Sequence, residues 1–418
     1  MPAVAHFMAA ELSALVNRVT VEAHVDEAAF VWEHRERAAI APHYRLHHLR
    51  PLDERLAAHL DGARLGGEFA WRVATAALDG GDAGALFVTT HLAFAASDPV
   101  GMRQMLGLVL AEPAHAAAFV AALAWLPPAQ VAPALERLEA TTRPDVRRLA
   151  LSVQGAQRTV PRADILVAAM NQPDAAHLRS TALRVAGQVG AADVHAAVAR
   201  AAHDDPVPAC RFWAAWALTL FGDPLGPPRL LAAGLGDPAL ARVGVEVALR
   251  RGPPDWARDQ VRRLVTEPAT RRLGIVGLGA CGDPAAVPWL LAQLDDPALA
   301  PVAGEALATI TGADLEHLDL HTDAPEDPGE LPADDNDLPW PDAEAVRAWW
   351  PAQAARFSPG LRHLCGRPID AAAAAAVLRE GSQRQREAAS IELAAGLGPA
   401  PLFPVHDRAD RQLRRLAA

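Results

Sequence analysis

The feature that most constrains this chain is a pattern of acids and glycines that repeats about every 30 residues. Acids recur at intervals of 29, 31, 32, 30 and 29 residues: Asp145, Asp174, Asp205, Asp237, Glu267 and Asp296. Glycines recur at intervals of 32, 30, 30 and 30 residues: Gly190, Gly222, Gly252, Gly282 and Gly312. An acid followed by Pro favours a helix start, and Gly favours the left-handed residue that ends one. The pattern therefore predicts a helical hairpin in each period.

The segments between these residues are amphipathic. In the clearest unit, Gly282 to Gly312, apolar residues recur at helical spacing over Ala285 to Leu294 and again over Pro297 to Ile310. A hairpin of this length cannot bury its own apolar face, so it must stack on its neighbours. We therefore expect an all-α fold, an α-solenoid (armadillo-type superhelix) of HEAT-like hairpins with an N-terminal helical cap and a C-terminal helical extension.

The same signals divide the chain into four predicted segments. Residues 1–66 form the cap, 67–312 the HEAT-like solenoid, 313–345 an acidic Pro-rich loop, and 346–418 the C-terminal helical region. Asp98-Pro99 and Glu112-Pro113 predict breaks between helices upstream of the regular repeats. Pro341-Asp342 predicts the start of a helix that carries two adjacent tryptophans.

Charge is distributed very unevenly along the 418 residues. The net charge is −11, and all 39 basic residues are Arg, so lysine-dependent mechanisms are excluded. The segment from Asp314 to Glu344 contains twelve acids and no Arg, which leaves −11 − (−12) = +1 for the rest of the chain. A nearly neutral body disfavours nucleic acid as a partner, because phosphate binding requires a basic surface.

The sequence predicts a cytoplasmic protein without a membrane partner. A secretory signal begins with a basic region followed by an apolar one, and the N-terminal residues of this chain lack that basic region. The longest apolar stretch, about residues 114–126, is shorter than the roughly 18 to 20 residues of a membrane span. Cys210, Cys281 and Cys365 are widely separated, which is typical of buried thiols in a reducing compartment.

Histidines near the N-terminus are the candidates for metal binding. His43 and His47 are spaced as i and i+4 behind Pro42, and His59 follows. Two histidines on one helix face can ligate zinc, but the HExxH pattern of a metalloprotease is absent. Solvated helix histidines are the alternative interpretation. We predict no metal and no cofactor, and keep these three residues as the candidates for a metal- or ligand-binding enzyme.

Aromatic and Arg residues are the candidates for protein binding. Trp and Arg dominate the residues that contribute most to protein interfaces, although core packing equally explains tryptophans on a helix. The acidic loop is either a solvated linker, a segment folded against the Arg-rich C-terminus, or a docking element for a partner. The candidates on a repeat helix, beside the acidic loop and near the C-terminus are Arg211, Trp213, Trp216, Trp340, Trp349, Trp350, Arg384 and Arg386.

Four acid–Arg combinations match the ladder that often joins successive HEAT repeats. An acid at the corner of a hairpin and an Arg in the second helix form each step. We interpret them as structural, because a regular ladder explains them without a ligand. The predicted pairs are Asp174 with Arg179, Asp205 with Arg211, Asp237 with Arg242, and Glu267 with Arg272.

Several stretches together resemble an uncharacterised proteobacterial family of HEAT-repeat proteins, with short repeats of the phycobilin-lyase-like kind. The resemblance covers nearly the whole chain and includes "FVWEHRERA" (Phe30 to Ala38), "PHYRLHHL" (Pro42 to Leu49), "CRFWAAWAL" (Cys210 to Leu218) and "GSQRQREAA" (Gly381 to Ala389). It implies association with type VI secretion clusters and a cytoplasmic role in binding a spike, adaptor or effector protein.

The predicted function is therefore a non-enzymatic protein-binding scaffold or adaptor, plausibly for a component or effector of type VI secretion. Catalytic motifs such as G-x-S-x-G, the Walker loop and the Rossmann fingerprint are absent from the sequence. Two alternatives stay open. One is an immunity protein that inhibits a toxin, and the other is the enzyme that uses the N-terminal histidines.

Overall fold

A computed structural model describes residues 17–327, 329–358, 360–396 and 400–417. This part of the chain contains 22 α-helices, four two-residue strands and short 3-10 turns. The prediction of an all-α fold is confirmed. In the same residues, no helix is both long enough and apolar enough to cross a membrane.

The described residues form two compact units. Unit 1 contains residues 17–40, 46–161 and 406–417. Its first eight helices are α1 (Arg18–Ile40), α2 (Leu46–Leu65), α3 (Gly67–Ala77), α4 (Ala83–Ala95), α5 (Pro99–Ala111), α6 (Ala116–Trp125), α7 (Pro128–Glu139) and α8 (Pro144–Gln157).

Unit 2 contains the described residues of 41–45 and 162–405. Its repeat region consists of α9 (Ala163–Met170), α10 (Ala176–Val189), α11 (His195–Asp204), α12 (Pro208–Phe221), α13 (Gly226–Leu235), α14 (Pro238–Arg251), α15 (Pro254–Thr266), α16 (Arg271–Cys281), α17 (Val287–Gln293) and α18 (Ala300–Thr311). The remaining elements are β1 (His321–Thr322), β2 (Trp340–Pro341), α19 (Ala343–Ala354), β3 (His363–Leu364), β4 (Arg367–Pro368), α20 (Ala371–Glu380) and α21 (Gln383–Gly396). The last helix, α22 (Ala409–Ala417), belongs to unit 1.

Within each unit, alternate helices pack against one another. In unit 2, α10, α12, α14, α16 and α18 contact each other in succession, and each also packs against the helix that precedes it. We call these five the row helices of unit 2. In unit 1 the corresponding row helices are α4, α6 and α8. Packing between successive hairpins buries the apolar faces that a single hairpin leaves exposed.

The predicted helix ends are largely confirmed. Gly190, Gly222, Gly282 and Gly312 each follow a row helix in the left-handed conformation, with φ of 67°, 81°, 68° and 75°. The prediction is wrong for Gly252, whose φ is −71° and ψ 161°. Pro253 follows it, and a proline forces the preceding residue into an extended conformation.

The predicted helix starts are confirmed in some positions and wrong in others. Asp98, Asp237 and Asp342 cap their helices through side-chain hydrogen bonds, as the sequence indicates. Asp205 and Asp296 instead accept from Val207 N and Ala298 N within a turn, and their helices begin later, at Pro208 and Ala300. A turn that satisfies the same donors competes with an immediate helix start.

The C-terminal part of unit 2 returns along the ends of its row helices. His363 N donates to Gly282 O at 2.7 Å, at the end of α16. Cys365 N donates to Thr309 O at 2.7 Å, at the end of α18, and Leu402 N donates to Gln188 O at 2.9 Å, at the end of α10. Backbone donors therefore satisfy carbonyl groups that a helix end leaves without a partner.

In unit 1 the last helix, α22, fills a similar role with side chains. The Arg411 guanidinium donates to Ala124 O, Trp125 O and Leu126 O at 2.7, 2.6 and 2.9 Å, at the end of α6. Arg415 donates to Gln157 O at 3.3 Å, at the end of α8. Asp53 accepts from Ala409 N, and Arg35 donates to Asp53 and to Asp407 O, so this pair fixes the first turn of α22. The four sequence-predicted segments stay predictions.

Candidate functional site

The predicted hot-spot residues of α12 lie mainly inside unit 2. Trp216 is 6% exposed, and Trp213 is half-buried with its ring 5.5 Å from that of Trp216. The Arg184 guanidinium lies 5.5 Å from the Trp213 ring. Arg211 donates to Asp205 O and Pro206 O at 2.7 and 3.1 Å. The two tryptophans thus pack in the core, and Arg211 stabilises a hairpin corner. Their role in partner binding stays a prediction.

The other predicted tryptophans are half-buried on a second part of unit 2. Trp340 lies in β2, where it pairs with Thr322 of β1. Trp349 and Trp350 lie on α19, and both pack against the core of unit 2. The rings of Trp350 and Phe357 are 5.5 Å apart. Trp349 and Trp350 thus hold α19 to the repeat helices, while β2, which contains Trp340, packs against α18.

The two predicted arginines of α21 are used within unit 2. Arg386 is fully buried, and its Nε donates to Leu378 O at 2.8 Å while its Nη1 contacts the Gln383 side-chain oxygen. Arg384 pairs with Glu305 at 2.7 Å and donates to Asp334 O at 2.5 Å.

The acid–Arg ladder exists at one step, with a different pairing from the predicted one. Arg179 binds Asp205 of the next hairpin with Nε–Oδ2 and Nη2–Oδ1 distances of 2.8 and 3.1 Å, and both side chains are 6% exposed. Burial raises the pKa of Asp205, but the hydrogen bonds from Arg179 and Val207 N outweigh it and hold that pKa below its usual value. Two-point contact makes this pair a rigid link between hairpins.

Four residues of two row helices and α21 form a half-buried ionic network whose pairings the sequence did not predict. Glu305 accepts from Arg242 at 2.8 Å and from Arg384 at 2.7 Å. Arg242 also pairs with Glu246 at 3.1 Å. Burial raises the pKa of Glu305, yet the two guanidinium groups together keep it lowered overall. The network joins α14, α18 and α21.

A second missed cluster joins α14 to the C-terminal segment. Glu392 accepts from Arg250 at 3.3 Å and from Arg362 at 2.6 Å, and the carboxyl group is 2% exposed. Arg362 also donates to Cys281 O at 3.0 Å. The spacing of Arg242, Glu246 and Arg250 along α14 is a signal for a charged helix face, but no local pattern identifies Glu392 as the partner.

The acidic segment is fixed near both of its ends. Asp314 pairs with Arg45 at 2.6 Å. Asp335 has a fully buried side chain and pairs with Arg272, and burial raises its pKa despite that pairing. Within the segment, β1 pairs with β2 in antiparallel register. Part of the segment therefore folds against Arg45 and Arg272, which are not in the C-terminal cluster of the prediction; from that cluster Arg384 donates to Asp334 O.

Seven further carboxylates of the segment face solvent. We call them the acidic surface: Glu316, Asp319, Asp323, Glu326, Asp327, Glu330 and Asp337. Within the part of the chain that the structure describes, none of them forms an ion pair. Like charges held close together without counterions repel each other and attract a cationic partner.

The predicted histidine arrangement is wrong. His43 lies in a turn, because α2 begins only at Leu46, so His43 and His47 do not share a helix face. The turn is held by a hydrogen bond from Gln383 N to Tyr44 O at 2.8 Å. His59 pairs with His24, 3.1 Å away. Among the described residues, no group of three or more metal-ligating side chains is assembled.

The three cysteines are free thiols. Burial raises the pKa of Cys210 and Cys281 to about 11 and that of Cys365 to about 12. Since the thiolate is the reactive form, these groups are protonated and weakly nucleophilic near neutral pH.

No family model matches the chain, and neither the curated proteins nor the solved structures contain a match.

Proposed function

We propose that this chain is a non-enzymatic HEAT-type α-solenoid that binds another protein through its acidic surface. The main support is that the acidic segment is fixed by two ion pairs, Arg45–Asp314 and Arg272–Asp335. Seven carboxylates between and beside these contacts face solvent. A fixed charged segment loses less conformational entropy on binding than a free one.

The partner that fits this surface presents a basic patch or a basic segment. Complementary charge accelerates encounter and makes association sensitive to salt. The repeated packing of α10, α12, α14, α16 and α18 supports the solenoid part of the proposal. From the family resemblance we further propose that the partner is a component or effector of type VI secretion, and that the chain acts in the cytoplasm.

The test is affinity capture of the tagged full chain from its native host at low and moderate salt. A variant with Asp323→Asn, Glu326→Gln, Asp327→Asn and Glu330→Gln removes four charges of the acidic surface. The matched control neutralises four exposed carboxylates of unit 1: Glu22→Gln, Asp26→Asn, Glu68→Gln and Glu136→Gln.

We expect one stoichiometric partner, captured by the wild type and the control at low salt and lost in the acidic-surface variant. With the purified partner, calorimetry should then show at least about a tenfold loss of affinity in that variant. Equal capture by both variants would exclude the acidic surface as the binding site. Identification of the captured protein as a toxin whose activity is blocked would favour the immunity alternative.

A further inference from the structure

The hairpin of α1 and α2 in unit 1 brings two histidines together. The Nδ1 atoms of His24 and His59 are 3.1 Å apart, and the two ring planes meet at 63°. Both rings are half-buried, so the pair lies at the edge of the hairpin and is open to water. Imidazole nitrogens are preferred ligands of zinc, copper and nickel ions.

Gly62 makes room for this arrangement. A Cβ atom at position 62 would lie 2.5 Å from Cδ2 and 2.6 Å from Nε2 of His24. Gly62 is one turn beyond His59 on α2 and lies inside the helix, where glycine is a poor helix former. The close approach of the His24 ring accounts for a glycine at this position, and any larger residue would displace the ring.

A carboxylate is available beside the histidine pair. Glu27 follows His24 by one turn on α1, and Arg55 precedes His59 by one turn on α2. The two side chains pair at 3.4 Å, and they are 48% and 57% exposed. An exposed ion pair of this kind is weak, so the Glu27 carboxylate is free to turn toward a cation held by the histidines.

The separation of the two nitrogens matches a shared metal ion. With metal–nitrogen distances of about 2.0–2.1 Å, two nitrogens 3.1 Å apart subtend an angle of about 100° at the metal. That angle lies between the octahedral and tetrahedral values. Both Nδ1 atoms must present a lone pair, so the proton in the present Nδ1···Nδ1 hydrogen bond moves to Nε2 of the same ring. No proton is released in that shift.

We propose that His24 and His59 bind one divalent transition-metal ion, Zn²⁺ or an ion of similar ligand preference, through their Nδ1 atoms. Glu27 supplies a third ligand on binding, and water completes the coordination. An ion bound by residues of both helices links α1 to α2. The proposal does not depend on the acidic surface.

The test is calorimetric titration of the full chain with ZnCl₂. The variants are His24→Gln, His59→Gln and Glu27→Gln, and the matched control is His203→Gln, an exposed histidine of unit 2 beside Asp204. We expect one zinc ion per chain, with an affinity that falls at least about tenfold in each histidine variant and less in Glu27→Gln. His203→Gln should bind as the wild type does.

A second measurement keeps the proposal falsifiable if a variant does not fold. In ¹⁵N NMR spectra of the wild-type chain, zinc should shift two Nδ1 resonances, those of His24 and His59. Absence of binding at submillimolar zinc would overturn the proposal. So would unchanged affinity in both histidine variants, or equal shifts at the exposed His47 and His48, because these outcomes leave only a hydrogen-bonded pair or general surface binding.

Discussion

The two units complete the ends of their row helices in different ways. In unit 1, arginine side chains of α22 reach the carbonyl groups at the ends of α6 and α8. In unit 2, the backbone of the C-terminal segment itself lies against the ends of α10, α16 and α18. A long arginine side chain can reach a helix end from a distance, whereas a backbone hydrogen bond requires the two segments of the chain to lie directly against each other.

This difference accounts for two of the periodic glycines, Gly282 and Gly312. A Cβ atom at Gly282 would lie 2.3 Å from His363 O, and one at Gly312 would lie 2.6 Å from Cys365 O. In unit 1, α8 ends in the left-handed conformation at Arg158, with φ of 57° and no glycine. At these two positions glycine therefore serves two purposes: it adopts the left-handed conformation that ends the helix, and it leaves room for a segment distant in the sequence.

The largest effect is expected from Asp53→Ala in unit 1. The Asp53 carboxylate accepts from buried Arg35 at 3.0 Å and from Ala409 N at 2.5 Å. Its loss removes the buried carboxylate from the Arg35 guanidinium, which keeps the more exposed Glu36 carboxylate and Asp407 O, so we expect unit 1 to lose about 3–5 kcal/mol of stability. Urea unfolding measures the loss, and hydrogen exchange should show it in α2 and α22.

Glu54→Ala is the matched control for this substitution. Glu54 is the next residue on α2, and its ion pair with Arg50 at 2.7 Å is exposed to solvent. An exposed pair contributes less than about 1 kcal/mol. Similar losses in the two variants would contradict the assignment of Asp53 as the anchor of α22.

Acid should destabilise unit 1 through His91. Burial, together with the nearby Arg408 charge, lowers the pKa of His91 to about 4. Above pH 6.5 the residue is neutral in both states; between pH 6.5 and 4 the unfolded chain binds a proton that the folded chain does not. This histidine should therefore remove roughly 3 kcal/mol of stability as the pH falls through that range.

The acid effect is measured by urea unfolding at pH 7 and pH 4.5, followed with hydrogen exchange in α4. His91→Leu should flatten the pH dependence, because it removes the titrating group. His203→Gln, at an exposed position, should leave it unchanged. An equally steep dependence in His91→Leu would show that other groups of unit 1 carry the effect.

Two glycines of unit 2 that share the left-handed conformation test the contact between the C-terminal segment and the helix ends. Gly222 and Gly282 have φ of 81° and 68°, but an added Cβ meets no atom within 4 Å at position 222. Gly222→Ala should cost about 1 kcal/mol, the price of a left-handed alanine. Gly282→Ala should cost about 2 kcal/mol more, because His363 must move. Equal losses in chemical denaturation would refute the contact as the reason for Gly282.

The smallest effect is expected at the corresponding position of unit 1. Arg158→Gly relieves the left-handed conformation and should stabilise unit 1 by up to about 1 kcal/mol. Loss of the contact from the Arg158 guanidinium to Gly155 O offsets part of the gain. Arg158→Ala retains the strain, so thermal unfolding should show no gain in that variant. A loss in Arg158→Gly would mean that the side-chain contact dominates.

Much of the helical organisation was predictable, because helix ends are governed by neighbouring residues. Asp98-Pro99 and Asp342 start helices as expected, since their carboxylates reach donors two or three residues away. The prediction that His43 and His47 share a helix face was wrong. The residues that hold this turn out of the helix, such as Gln383, lie far away in the sequence.

Partners of charged side chains were the least predictable part of the candidate site. Arg242 was expected beside Asp237, yet it binds Glu246 and Glu305. No local pattern marks His24 in the sequence, because its partner His59 lies 35 residues away on the next helix. The exposed carboxylates of the acidic surface, by contrast, were visible as a charge imbalance.

The sequence by itself determined that this chain is helical, where most of the repeat helices end, and that one segment concentrates negative charge. These properties depend on caps, prolines, glycines and periodicity, which act over a few residues. Only the tertiary structure decided which carboxylate each arginine binds, and which helix ends the C-terminal segment covers. Those contacts join residues tens to hundreds of positions apart, and the packing of whole helices selects them.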